Sequence, residues 1–177
     1  MESIELQKPL AVANFVIEIA KEKGNPVTNL KLQKILFFLQ GYFLSNYGAP
    51  LIDGSFSKWR YGPVEEKVYQ SFKNYGATPI NSEFKEASID RGIIYVNPVR
   101  MNITELSDNL MSELKELVEK LINIEPWELV DITHRHSSWK NYEDEIHSFE
   151  AEDYTNEEIE SCFIDNEKFL IGEENEK

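Results

Sequence analysis

The sequence predicts a mainly α protein: a single globular helical domain with a small two- or three-stranded β element, followed by an acidic C-terminal helix. Three observations carry that expectation. Apolar residues recur at helical spacing in successive segments along the chain. One stretch, GIIYVNP at 92–98, is β-branched and aromatic instead. The acidic residues are unevenly spread: residues 143–177 hold 14 Asp and Glu against 2 Lys, whereas residues 1–142 hold 18 against 16 Lys and Arg. The 177 residues are enough to bury a core without disulfide or metal. The expected organisation is therefore a helical domain over 1–142 and an acidic extension over 143–177 whose helix packs on it.

Each element has a local cause. Residues 10–23, LAVANFVIEIAKEK, place Val12, Phe15, Val16 and Ile19 on one helical face, and Gly24-Asn25-Pro26 ends the pattern. Thr28 is a suitable N-cap for a second helix from about Asn29 to Asn46, which Gly48 is placed to end. Its LQKILFFLQGYFLSNYG stretch is apolar on nearly every side, the pattern of a helix covered by several neighbours at the centre of a bundle. Residues 51–62 break the period at Asp53-Gly54 and then alternate through Trp59 as a short extended segment. Pro63 suits the first turn of a third helix, where its missing N–H costs nothing, with Val64, Val68, Phe72 and Tyr75 as the apolar stripe. The 92–98 strand is expected to pair with the segment around Trp59.

Leu110, Leu114, Leu117, Val118 and Leu121 share one face of the clearest amphipathic helix, 108–122. Glu125-Pro126 opens another, carrying Trp127, Leu129, Val130 and Ile132. Near the C-terminus Thr155 and Glu158 form a capping box and Tyr154 and Ile159 a hydrophobic staple. Ile159, Cys162, Phe163, Phe169 and Leu170 continue that helix's apolar face.

Composition excludes several functions. No apolar run approaches the roughly 20 residues that cross a bilayer. MESIELQKPL sets two acids ahead of the first lysine, unlike a secretory signal. A cytoplasmic protein without a membrane partner is expected. The single cysteine, Cys162, allows no internal disulfide and no cysteine-based zinc site. A net charge of −14 opposes phosphate, so direct nucleic-acid binding is not expected, although Lys31, Lys34, Lys58 and Arg60 lie near aromatics. The acidic segment reads either as a solvated face or as a surface that steers a basic partner.

Catalytic chemistry is weakly signalled. The glycines are scattered and form no phosphate loop. His134 and His136, with Asp131 and His147 nearby, have metal-like content, but their i, i+2 spacing suits a strand rather than the helix or turn expected there. A capping or surface role is the preferred reading, and no metal or cofactor is expected. Cys162 falls on an apolar face and reads as core rather than nucleophile. No catalytic residue is assigned, and an enzyme, such as a hydrolase using the histidine region, is the weaker class.

Residues 27–76, VTNLKLQKILFFLQGYFLSNYGAPLIDGSFSKWRYGPVEEKVYQSFKNYG, closely resemble the core of the Panacea domain, also called the SocA-like antitoxin family. THRHSSWKN at 133–141 looks like that family's His-containing Trp-Lys segment, so the resemblance covers about 10–142. It implies a mostly helical domain acting as a non-enzymatic antitoxin that neutralises a toxin protein by direct contact. In at least one member the antitoxin is an adaptor delivering its toxin to a protease, so a protease is a conditional second partner.

Carried over by position, Gln33, Lys34, Tyr42, Trp59, Tyr61, His134 and Trp139, with Arg60 beside them, are the candidate partner-binding residues, and Gly62-Pro63 is a structural turn. Gln33 and Lys34 are polar on an apolar helix and must each reach solvent or a partner. For Trp59, Tyr61 and Trp139, hydrophobic packing and an exposed aromatic platform are the competing roles. The alternative function is a phage or mobile-element protein of the same fold that binds a host factor, with the acidic C-terminal segment either imitating nucleic acid or masking a basic surface.

Overall fold

The computed structural model describes residues 4–164. In chain order these form α1 (Pro9–Glu22), α2 (Asn29–Tyr47), β1 (Ser57–Trp59), β2 (Gly62–Val64), α3 (Glu66–Phe72), β3 (Lys85–Asp90) and β4 (Ile93–Pro98). There follow α4 (Asp108–Ile122), α5 (Pro126–Arg135), α6 (Ser137–Lys140), α7 (Glu143–His147) and α8 (Asn156–Ile164). The fold is mainly α with a small β component, as the periodicity predicts.

Helix α2 is the axis of the molecule. The Thr28 hydroxyl accepts from the Lys31 N–H at its start, and Gly48, at φ 64°, closes its end with an N–H bond to the Leu44 carbonyl. Between them Leu32, Ile35, Leu36, Phe37, Phe38 and Leu39 are all fully buried, because α1, α3, α4, α5, α8 and β2 surround the helix. An all-round apolar sequence is thus matched by neighbours on all sides. Burying each such side chain contributes about 1.5–3 kcal/mol.

The polar residues of this central helix are tied to backbone groups. The Gln40 side chain accepts from the N–H groups of Leu51 and Ile52 and donates to the Ile52 carbonyl. The Lys31 ammonium donates to the Ile122 carbonyl at the C-terminal end of α4, where the helix dipole favours a cation. On α1, Asn14 plays the same part: it donates to Phe84 and Val99 carbonyls and accepts from the Phe84 N–H, clamping the base of the β3–β4 hairpin. Buried polar groups without such partners would each cost about 1–3 kcal/mol.

Gly41 lies in the middle of α2, where glycine costs about 1 kcal/mol relative to alanine. A Cβ there would fall 1.9 Å from the Phe163 ring. The missing side chain lets α8 lay Phe163 against the backbone of α2, edge-on to Phe38 at 5.4 Å between centroids. The capping box of α8 forms as expected: the Thr155 N–H donates to the Glu158 carboxylate at 3.0 Å and the Glu158 N–H to the Thr155 hydroxyl at 3.1 Å. Phe169 and Leu170 lie outside the described residues.

Three local expectations are corrected. The 92–98 strand does not pair with the Trp59 segment: β4 pairs antiparallel with β3, Ala87 opposite Val96 and Ile89 opposite Ile94, while β1 pairs with β2, Ser57 opposite Val64. The β component is therefore two separate two-stranded sheets. Pro63 does not open a helix. It sits in β2 opposite Lys58, and α3 starts three residues later, with the Glu65 carboxylate capping the Val68 N–H. The alternation around Trp59 should have extended past the Arg60-Tyr61 turn, because a closing glycine at positive φ is a hairpin signal; Gly62 has φ 90°. His136 is not on the surface: it occupies the N-cap position of α6 without a side-chain cap bond, is buried beside Phe37 and Phe163, and burial lowers its pKa to about 4.

Candidate partner-binding site

The β1–β2 hairpin gathers most of the candidate residues. Side chains alternate across a strand, so Lys58 and Trp59 point to opposite faces. On one face Trp59 meets Tyr69 of α3 edge-on at 4.8 Å between centroids. On the other, Lys58 bonds both carboxylate oxygens of Glu158, at 3.0 and 3.1 Å, and lies 3.9 Å from the centroid of the Tyr142 ring. This residue carries the hairpin's attachment to the C-terminal segment. The sequence offered it only as one of four basic residues near aromatics.

Behind the hairpin, Trp139 is buried, donates its indole N–H to the Trp59 carbonyl at 2.9 Å and stacks on His134 at 3.8 Å. His134 is half-buried and bonded to the Arg60 backbone; burial holds its pKa below the usual imidazole range, and the nearby Lys34 charge acts in the same direction. These two residues of the THRHSSWKN segment fix the hairpin from inside. Among the described residues, no three His, Cys, Asp or Glu side chains converge as a metal site.

Gln33 and Lys34 lie under the hairpin rather than on the surface. Gln33 accepts from the Glu65 N–H at 2.8 Å and donates to Asn29 at 3.1 Å. Lys34 is fully buried, donates to the Pro63 carbonyl at 2.8 Å, and has its pKa lowered to about 7 by burial. Their side chains meet the requirement for a polar partner within the chain, and they form the floor of a cavity of about 790 Å³. Gly62 is required above them: a Cβ there would lie 2.5 Å from Thr133 Oγ1 and 3.0 Å from Lys34 Cε.

The cavity opens between α2, the hairpin, α3 and the stretch after α7. Its lining includes Leu30, Trp59, Arg60, Tyr61, Tyr69, Ile146 and Phe149. At its hairpin edge Tyr61 is exposed and meets the exposed Trp127 of α5 edge-on at 5.6 Å, with the Arg60 guanidinium 5.7 Å from the Tyr61 ring. Packing and platform thus divide among the aromatics: Trp139 packs, Tyr61 is exposed and Trp59 is half-buried between the two. Tyr42 stands apart from this cluster. Its hydroxyl and that of Tyr47 both donate to the Glu113 carboxylate of α4, and burial raises its pKa. Trp127 and Phe149 were not among the partner-binding candidates read from sequence, and the feature they share there is an aromatic residue followed directly by Glu.

Residues 32–140 match the family model described as Antitoxin SocA-like, Panacea domain. Antitoxin SocA of Caulobacter vibrioides (strain NA1000 / CB15N) is 40% identical over 91 residues, covering 51% of this chain and 48% of that protein. The chain therefore aligns with about half the length of the curated relative it matches. No solved structure matches it.

Proposed function

The chain belongs to the SocA-like Panacea domain family, and from that premise we propose that it is an antitoxin that neutralises a cognate toxin by direct protein contact. One observation carries the reading to specific residues. The family-matched segment presents exposed Tyr61, Trp127 and Arg60 together, with Tyr61 and Arg60 also lining a cavity. Tyr, Trp and Arg are the residue types that dominate the energetics of protein interfaces, where each excludes water over a large rigid surface. No packing need of the fold requires two large aromatic rings to meet in solvent.

Binding rather than turnover is the mode of action. Cys162, the only thiol in the chain, is buried against the Ser138 hydroxyl at 3.0 Å, and burial pushes its pKa up to about 11. It is a poor nucleophile at neutral pH. No helix among the described residues is long and apolar enough to cross a membrane.

The test is growth of bacteria expressing the open reading frame adjacent to this gene, with and without this protein, followed by co-purification. Toxicity relieved by formation of a stable complex is the expected result. Tyr61→Ala with Trp127→Ala should abolish relief while leaving the thermal melt unchanged, because both side chains are exposed. A toxic neighbour left unrelieved by soluble wild-type protein would refute the antitoxin reading.

A further inference from the structure

One wall of the cavity comes from chain beyond the family match, which ends at residue 140, and that wall sorts its charges. Six of the eleven residues 143–153 are acidic, yet this stretch lines the cavity with Ile146, Phe149, Ala151 and a single acid, Asp153. Glu145, Glu150 and Glu152 line a separate pocket beside Lys58 instead. The arrangement is fixed by the fold. The Tyr154 N–H donates to the Phe56 carbonyl at 2.8 Å, Glu158 pairs with Lys58, and Phe163 lies over Gly41.

The cavity itself is lined by four cationic side chains, Lys34, Lys58, Arg60 and Lys73, against two carboxylates, Glu66 and Asp153. In a chain of net charge −14 this is a local reversal of sign. Lys58 is neutralised by Glu158, but none of the other three cations forms an ion pair among the described residues. Lys34 shows what is missing. It is fully buried, and of the three N–H donors of an ammonium it spends one on a neutral group, the Pro63 carbonyl at 2.8 Å. Buried charges are ordinarily paired. The described residues supply this amine with no counter-charge, and burial lowers its pKa to about 7. Around these groups the lining is apolar: Leu30, Trp59, Val64, Tyr69 and Phe149, the last 96% exposed.

We infer that this cavity receives an acidic segment of the toxin, in which an Asp or Glu adjoins a bulky apolar residue. The inference rests on the antitoxin reading for the identity of the partner. The toxin carboxylate meets Arg60 and Lys73 and supplies the counter-charge that Lys34 lacks, while the apolar side chain is covered by Trp59, Tyr61 and Phe149. A protein segment is the fitting occupant because Arg60 and Tyr61 belong both to the cavity lining and to the exposed group with Trp127, so one partner covers both. A free small anion would leave Trp127 in solvent.

The experiment selects a phage-displayed library of random peptides on the full chain and counter-selects on Tyr61→Ala with Phe149→Ser, a variant that alters the apolar lining and leaves every charge in place. Both positions are exposed, and unchanged melting curves verify the fold. The retained peptides should carry Asp or Glu beside Trp, Phe or Leu, although the net charge of −14 by itself favours basic peptides. Arg60→Gln with Lys73→Gln, both exposed, should weaken them about tenfold at low salt and less at high salt, where exposed charges are screened. E150Q/E152Q, in the neighbouring pocket, should not weaken them. Retained peptides that are basic or uncharged, affinities unchanged by the Arg60 and Lys73 substitutions, or no enrichment over an unrelated protein would each overturn the proposal. So would a dimer of this chain that those two substitutions dissolve. Because the peptides are tested without any toxin, a negative growth experiment counts against the antitoxin reading and a negative selection against the chemistry of the cavity.

Discussion

Gly41→Ala should reverse sign with its surroundings. In an ordinary helix interior the substitution stabilises by about 1 kcal/mol. Here the new methyl would fall 1.9–2.6 Å from three ring atoms of Phe163, so the ring must leave. Phe163 is buried among Phe37, Phe38 and His136, and losing such a ring from a core costs about 3–5 kcal/mol. The net expectation is a destabilisation of about 2–4 kcal/mol once the helix-propensity gain is subtracted. With Phe163→Ala already in place the clash is gone, and Gly41→Ala should then stabilise by about 1 kcal/mol. Urea unfolding of the four proteins in this cycle gives a coupling of about 3–5 kcal/mol between two residues far apart in sequence. Amide exchange should show the loss concentrated in α8, together with the 142–164 wall it anchors. If Gly41→Ala proves neutral or stabilising in the otherwise unaltered chain, α8 does not pack on α2 as described and the cavity wall loses its foundation.

Further outcomes follow from the buried charges and the hairpin. Lys34 has a folded pKa of about 7, below its unfolded value, so between about pH 7 and 10.5 the unfolded chain binds more protons and stability rises with pH. Lys34→Met should remove that rise, up to about 1.4 kcal/mol per pH unit, and parallel urea-stability curves for variant and wild type across this window would show the assignment to be wrong. Gly62→Ala, blocked by both its φ of 90° and the Thr133 hydroxyl, should cost about 2–3 kcal/mol in urea unfolding, and a cost under about 0.5 kcal/mol would contradict the close approach. Lys58→Gln leaves Glu158 without its cation and should cost about 2 kcal/mol, with faster amide exchange in residues 142–164 but not in α4. Uniform exchange changes across the molecule would argue against a local anchoring role.

Much of this architecture is legible along the chain because it follows from local rules. Thr28 and Gly48 delimit α2, Ser107 caps α4, and Thr155 with Glu158 starts α8, each through side chains within a few residues of the bond they make. The all-round apolarity of α2 likewise announces burial before any neighbour is known. The resemblance carried by residues 27–76 and 133–141 indicates the family. Pairing of the strands is not local in this sense: Pro63 fits the first turn of a helix as well as a β-strand, and in the fold its carbonyl is held in the hairpin by the Lys34 ammonium.

Sequence alone therefore determined the mainly α class, the ends of α2, the capped start of α8, the central place of α2 and the family, because capping and periodicity act within a few residues. Tertiary structure decided what the polar and aromatic candidates do. Gln33 and Lys34 turn inward to Glu65 and Pro63, Trp139 holds Trp59 from behind, and Tyr61 and Trp127 meet in solvent. It also decided that an acidic stretch beyond the matched segment becomes a wall of the cavity, through Lys58 and Glu158, two residues one hundred positions apart. No local pattern encodes such a pair, since its energy exists only after the helices between them have packed.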